Sequence, residues 1–303
     1  MKGAGIRRAI MFINPKRKQA RLLGDEVKRE LYSLEIEADA FSFKGKPDFH
    51  TEAGYDVAIS LGGDGTVLSA VRTVSPLGIP IFPVNLGTFG FITGVQPSQW
   101  REVFCRWLEG KENISRRLMF EVTVIRGGEQ MLKGCCLNDV VISVSGIAKI
   151  LSLDVSYSHE GNMDFSKLIT YRCDGLIIAT PTGSTAHCVA AGGPIIDSEM
   201  EAIVLNPICP FTLSHRPIVL SATETIMIEV PKTQRSGVLL TVDGQVIQKL
   251  SGGDKIFLKK APYHSLLIAS DREVFLQALR TKLAWSGGNT QEDSCIKTVG
   301  GEL

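Results

Sequence analysis

Apolar and polar positions along the chain follow two rhythms. Up to about residue 112, short unbroken apolar runs alternate with stretches of helical spacing. Ala9-Ile10-Met11-Phe12-Ile13 stops at Asn14-Pro15, the pattern of a buried strand entering a turn. From Lys18 to Ser33, Leu22, Leu23, Val27 and Leu31 recur every three or four residues among charges, with Leu34 just beyond, which predicts an amphipathic helix. Residues 36–43 alternate as a strand, and polar residues 44–52 with Gly45 and Pro47 predict a loop. Apolar residues 55–60 predict a strand running into Gly62-Gly63-Asp64-Gly65-Thr66. A short helix over 67–74 and a strand over 79–84 follow. Strands alternating with helices imply βαβ units and a mostly parallel sheet.

Beyond residue 112 the pieces become short, rich in Val, Ile and Thr, and separated by Gly, Ser and Asp. Examples are residues 120–125, 139–144, 151–157, 175–179, 225–230, 237–242 and 255–258. Many short strands predict an all-β unit. Helical spacing returns over 271–285 in Val274, Phe275, Leu276, Leu279 and Leu283. The expected organisation is an α/β N-terminal domain with a parallel sheet over 1–112 and an all-β C-terminal domain over 113–270. The helix of 271–285 returns to the first domain, and the Gly-rich, polar segment 286–303 is a flexible tail.

Length agrees with two domains: 303 residues is about twice the usual domain size. Lys and Arg total 33 against 32 Asp and Glu, giving a net charge of +1, so no basic excess points to nucleic acid or anionic membrane. The single basic cluster, Arg7 to Arg21, is broken by an apolar run. Seven cysteines without any C-x-x-C pair predict reduced thiols in the cytoplasm rather than a disulfide framework or a zinc site. No apolar stretch reaches the ~18 residues of a membrane span, and the five-residue N-terminal apolar run is too short for a signal peptide. The histidines lack metal-ligand spacing, so no protein metal site is expected.

The densest chemistry lies in Gly62-Gly63-Asp64-Gly65-Thr66, between a strand and a helix. Glycine allows a ligand close access to backbone N–H groups, and a helix N-terminus favours phosphate. Thr66 is the expected N-cap. A carboxylate in such a loop would repel phosphate. Asp64 therefore reads as a base for a substrate hydroxyl, as a Mg²⁺ ligand, or as an Asx-turn residue that only shapes the loop. Thr180-Pro181-Thr182-Gly183-Ser184-Thr185-Ala186, after a strand, offers hydroxyl and backbone donors to an anion or ribose, or serves as an ordinary capped loop. Asn138-Asp139 could fork onto a sugar or base, or simply mark a strand entry. Asp243-Gly244-Gln245 reads as a hairpin turn.

Together these segments resemble the NAD kinase family. The residues carrying the resemblance are Gly62 to Thr66, Asn85-Leu86-Gly87 with Gly90-Phe91, Asn138-Asp139, and Asp174-Gly175. Thr180 to Ala186, Ala191-Gly192-Gly193-Pro194-Ile195 and Asp243-Gly244-Gln245 complete the set. Order and spacing match from about residue 55 to 250. The Gly-Gly-Asp-Gly-Thr loop also occurs in lipid kinases, so the long Thr-Gly-Ser stretch narrows the choice. The resemblance implies transfer of the γ-phosphoryl of ATP to the 2′-hydroxyl of the adenosine ribose of NAD. It also implies a divalent cation such as Mg²⁺ and a homo-oligomer, dimer or tetramer, whose neighbouring subunit completes the site.

By the same resemblance, Asp64 is the general base, and Gly62, Gly63, Gly65 and Thr66 form the phosphate loop. Phe91 lines the NAD pocket, and Asn138 and Asp139 contact adenine or ribose. Lys149 and Arg172 contact dinucleotide or phosphate, and Asp174 the nicotinamide end. Thr182, Thr185, Ala186, His187, Cys188, Val189 and Ala190 run along NAD, and Gln245 closes the pocket. Three positions depart from the family pattern: Asp139 replaces Glu, His187 replaces Tyr, and Ser69 stands where many members carry a basic residue. A lipid kinase sharing the loop, and a dinucleotide-binding regulator without catalysis, are the alternatives. The missing amphipathic basic helix argues against the first and the intact Asp64 loop against the second.

Overall fold

The computed structural model describes residues 5–14, 17–42, 54–87, 90–146, 149–159, 162 and 164–283. The expected loop at 44–52 and tail at 286–303 lie outside them, as does the end of the predicted last helix. The chain opens with β1 (Arg8–Ile13), α1 (Lys18–Ser33), β2 (Glu37–Ser42), β3 (Val57–Gly62), α2 (Asp64–Val74), β4 (Ile81–Asn85), α3 (Trp100–Leu108) and β5 (Ile114–Arg117). Next come β6 (Phe120–Arg126), β7 (Glu129–Cys136), β8 (Asp139–Ser145), β9 (Leu151–His159), β10 (Ser166–Cys173) and β11 (Gly175–Ala179). After a 3₁₀ turn at Gly183–Thr185 follow α4 (His187–Ala190), β12 (Ala202–Ile208), β13 (Ile218–Ser221) and β14 (Glu224–Glu229). The chain closes with β15 (Gly237–Val242), β16 (Val246–Leu250), β17 (Lys255–Lys260), β18 (Ser265–Ile268) and α5 (Arg272–Lys282).

The first sheet has the order β2-β1-β3-β4-β18-β5, parallel except for the β18–β5 pair. Alternation along β1 divides its two faces. Ala9 and Met11 pack under α1 and α3 with Leu23, Val27, Leu31, Trp100 and Phe104. Ile10 and Phe12 face α2, with Val67 and Val71, in a cluster that also takes in Met119, Cys135 and Leu137 from the chain beyond β5. The second core layer is therefore shared between the two halves of the molecule. α1 spans the predicted range, although Leu22 is 60% exposed and Ala20 takes the inward place.

Two antiparallel sheets, β10-β9-β14-β17-β6-β7 and β13-β12-β11-β8-β15-β16, form the other half and enclose the largest apolar core. The strand pairing departs from the expected boundary at 113–270. β5 and β18 lie in that range yet pair with the first sheet, because β18 supplies a parallel neighbour to β4. β5 carries Arg117, which is fully buried and donates to the Ser270 carbonyl oxygen. Burial, relieved only in part by the charges of Glu199, Asp197 and Asp271, lowers its pKa to about 10. α5 is N-capped by Asp271, whose carboxylate accepts the Val274 N–H at 3.2 Å. It lays Phe275 against Phe91 of the first half, ring centroids 6.1 Å apart.

Candidate active site

The phosphate-type loop sits where β3 ends. Strand order reverses between β1 and β3, the place where open α/β sheets bind ligands. The helix begins earlier than expected. Gly63, not Thr66, is its N-cap, and its carbonyl accepts the N–H groups of Thr66 at 2.8 Å and Val67 at 3.3 Å. Thr66 is buried with its hydroxyl turned to Gly62, where a Cβ would meet it at 2.1 Å. Asp64 thus occupies the first position of α2, where helix-dipole and backbone N–H groups favour an anion.

Its carboxylate is held from the far side. Thr93 Oγ1 donates to Asp64 Oδ1 at 3.0 Å. A Cβ at Gly90 would lie 2.4 Å from the same oxygen, so any larger residue there would displace the carboxylate. Phe91 is half-buried between Phe275 and the Lys282 ammonium, 5.1 Å from its ring centre.

The antiparallel half meets this loop through one hairpin. Asp243 and Gly244 take φ of 49° and 63°, both left-handed, in the three-residue connection 243–245 between β15 and β16, where the Gln245 N–H donates to the Val242 carbonyl at 3.0 Å. Gln245 Nε2 then donates to the Gly65 carbonyl at 3.0 Å. The buried Asp243 carboxylate accepts the N–H groups of Asn138 at 2.8 Å, Leu137 at 3.1 Å and Asp139 at 3.2 Å. Burial raises its pKa in spite of those three donors and the Arg72 charge. Asp139 is also buried, and burial together with the Asp243 charge pushes its carboxyl up to about 7.

The Thr-Gly-Ser stretch packs directly on this fork. A Cβ at Gly183 would lie 1.9 Å from the Asn138 carbonyl oxygen. Thr180 Oγ1 donates to the Leu137 carbonyl and accepts the Gly183 N–H at 3.0 Å. Ser184 Oγ accepts the Ile196 N–H at 3.0 Å and pins the Ala-Gly-Gly-Pro segment. Thr182 and Thr185 are buried, and Thr185 donates to the Thr182 carbonyl at 3.1 Å. In α4, His187 and Ala190 are exposed, while Ala186 and Val189 are half-buried. The Cys188 side chain is wholly buried against Asn206, and burial raises its thiol to about 11. Any contact from Cys188 to a ligand is therefore through its backbone.

Asp64, the 62–66 loop, Phe91, Asn138, Asp139, the 182–190 segment and Gln245 thus converge. Lys149, Arg172 and Asp174 do not. Ala179 pairs with Asp139, whereas Asp174 adjoins the opposite end of β11, roughly 16 Å along an extended strand. Lys149 follows the far end of β8, and the exposed Arg172 guanidinium lies 5.3 Å from the Phe211 ring centre. Sequence reasoning overlooked Thr93 and Arg72, and named Thr180 only as part of the Thr-Gly-Ser stretch. Arg72 was legible as the residue seven after Gly65, on the same helix face; Thr93 carried no local signal.

Residues 11–112 match the ATP-NAD kinase N-terminal domain and residues 137–270 the ATP-NAD kinase C-terminal domain. The chain is 35% identical to the NAD kinase of Treponema denticola over 288 residues, 94% of this chain and 99% of that protein. The chain belongs to the NAD kinase family. It is also 42% identical over 230 residues to the NAD kinase of Koribacter versatilis, covering 76% of this chain and 78% of that one. Yeast NADH kinase, solved in complex with NADH, shares the fold with a TM-score of 0.82 at 21% identity, over 95% of this chain and 90% of that one.

Two departures from the usual NAD kinase pattern acquire physical content here. Ser69 donates to the Gly65 carbonyl at 3.1 Å and lies 3.3 Å from Gln245 Oε1, so it works inside the loop. Asp139 is buried, within reach of the Asp243 charge. No helix among the described residues is long and apolar enough to cross a membrane, and the six described cysteines are free thiols.

Proposed function

We propose that the protein transfers the γ-phosphoryl of ATP to the 2′-hydroxyl of the adenosine ribose of NAD, giving NADP and ADP. Membership of the NAD kinase family supports the overall reaction. The observation that carries its mechanism is the Asp64 carboxylate, fixed by Thr93 at the start of α2. An alcohol is a weak nucleophile near neutral pH, and a positioned carboxylate contributes ~10²–10⁴-fold by taking its proton. Asp64 accepts that proton. The backbone at Gly62, Gly63 and Gly65 with Thr66 cradles the donor phosphates, and the fork orients the acceptor ribose. Phe91, the 182–190 segment and Gln245 shape the dinucleotide pocket.

Among the described residues, no three His, Cys, Asp or Glu side chains form a metal cage. Mg²⁺ usually combines one or two carboxylates with substrate phosphates, so with Asp64 acting as the base the ion would be held chiefly by the phosphates of ATP. Bound there with ATP, the ion would supply charge neutralisation. Lys149, Arg172 and Asp174 at the remote end of β11 fit a second subunit's pocket, so the active form is a homo-oligomer, dimer or tetramer. The free thiols suit the cytoplasm.

The test is NADP formation from NAD, ATP and Mg²⁺, with Asp64→Asn assayed beside the wild type. The variant is expected to bind NAD and to lose ~10²–10⁴-fold in kcat. Near-normal turnover by the variant would remove Asp64 as the base.

A further inference from the structure

The Gln245 contact to the phosphate loop depends on a residue deeper in α2. Gly65, Ser69 and Arg72 stand at i, i+4 and i+7, one face of that helix. Arg72 Nη2 donates to Gln245 Oε1, and Ser69 Oγ lies 3.3 Å from the same oxygen. The Gln245 amide nitrogen donates in turn to the Gly65 carbonyl. A guanidinium only donates and a carbonyl oxygen only accepts. A side-chain amide between them therefore has one satisfying orientation, and Arg72 sets it.

The same guanidinium is half-buried, and its Nη1 is buried without a hydrogen-bond partner among the described residues. Burial lowers its pKa, with Asp243 the foremost opposing charge. It therefore acts on both ends of the hairpin turn: through a hydrogen bond on Gln245, and through charge on Asp243, which holds the Asn138–Asp139 N–H groups. α2 carries Asp64 on its first turn and Arg72 on its last. The distance from base to acceptor fork is fixed by how tightly the turn is held to that helix.

We propose that Arg72 is a positioning residue for phosphoryl transfer, acting through Gln245 to lock the 243–245 turn onto the Asp64 helix. The inference rests on the NAD kinase reading above. Its loss loosens the alignment of the two reacting groups rather than removing a substrate contact, so kcat falls more than NAD affinity. Misplacement by about 1 Å can cost ~10²-fold.

The experiment is a double-mutant cycle of Arg72→Ala and Gln245→Ala, with kcat, KM for NAD, NAD affinity and thermal midpoint measured for each protein. Arg72→Ala is expected to lower kcat by roughly tenfold or more, with a smaller change in NAD affinity. The double variant should be no slower than the slower single variant, because the two residues act as one unit. Arg72→Lys keeps a charge beside Asp243 but lacks the planar fork. It should match the wild-type melting midpoint, recover part of kcat, and show the same non-additivity with Gln245→Ala. That variant decides the matter if Arg72→Ala fails to fold. Unchanged kcat in a folded Arg72 variant, or losses that multiply in the double variant, would overturn the proposal. Wild-type protein that makes no NADP would instead overturn the kinase reading itself.

Discussion

The Asp243 carboxylate accepts the Asn138 backbone N–H at 2.8 Å across 105 residues of sequence. One carboxylate thereby shapes the entry to β8, with Leu137 and Asp139 completing three donors. Hydrogen bonds to a charged group contribute about 1.5–3 kcal/mol each, more than neutral ones. In Asp243→Asn one acceptor oxygen becomes an NH₂ that faces an N–H donor. We expect a loss of about 2–4 kcal/mol in urea unfolding, together with weaker NAD binding. A variant as stable as the wild type would show that the three N–H groups find other partners.

Asp139 gives the fold a pH signature. Its folded pKa, about 7, lies above the ordinary aspartate value of 3.8. Between those values the unfolded chain has released the proton and the folded chain still holds it. Stability therefore falls as pH rises from about 4 to about 7 and levels off beyond, by proton linkage. Asp243, raised in the same direction, adds to the slope. Asp139→Asn should flatten the fall in urea midpoint over this range. An unaltered slope would place the titration elsewhere.

Gly183→Ala sets backbone against backbone. The new Cβ would lie 1.9 Å from the Asn138 oxygen and 2.7 Å from its Cα, with no flexible side-chain end to yield. The expected cost is about 2–4 kcal/mol in unfolding free energy, with activity lost as the loop shifts from the fork. Wild-type melting and turnover would contradict this packing.

Gly90→Ala tests the opposite case. Its Cβ would crowd Thr93 Oγ1 and Asp64 Oδ1, both ends of side chains. Those atoms can rotate away, so melting should change little. The carboxylate is displaced, and kcat should fall by ~10²-fold. A large drop in melting midpoint with normal turnover per folded molecule would mean that Asp64 need not stay where Thr93 holds it.

Local pattern explains which features were readable in the sequence. α1 was visible in its bounds because its apolar spacing and charges are self-contained, and Gly175–Ala179 and Gly237–Val242 were visible as short runs rich in Val, Leu and Ile. The start of α2 was misplaced because Gly63 caps it without a side chain, whereas Thr66 resembles a cap by composition. α3, Trp100–Leu108, escaped notice behind its mixture of charges and aromatic residues. β5 and β18 fell within the expected all-β range, and their pairing with the first sheet was not legible because a contact between residues 115 and 267 leaves no local trace. In the site, glycines and Asp64 announced themselves by spacing. The links of Asp243 to Asn138 and of Gln245 to Gly65 are long-range contacts and emerged only with the fold.

The placement of β18 also governs how the molecule is made. A ribosome delivers β1 to β4 first, yet the strand that covers the β4 edge emerges only at residues 265–268, after the whole sandwich. Val95 bridges β4 at Val84, but throughout translation the Ile81 end of that edge presents unpaired N–H and C=O groups, a template for stray strands from other chains. Production thus depends on the late segment arriving before a stranger does. Rewiring the gene so that 265–283 is translated ahead of β1 would close the sheet early and shorten that exposed interval.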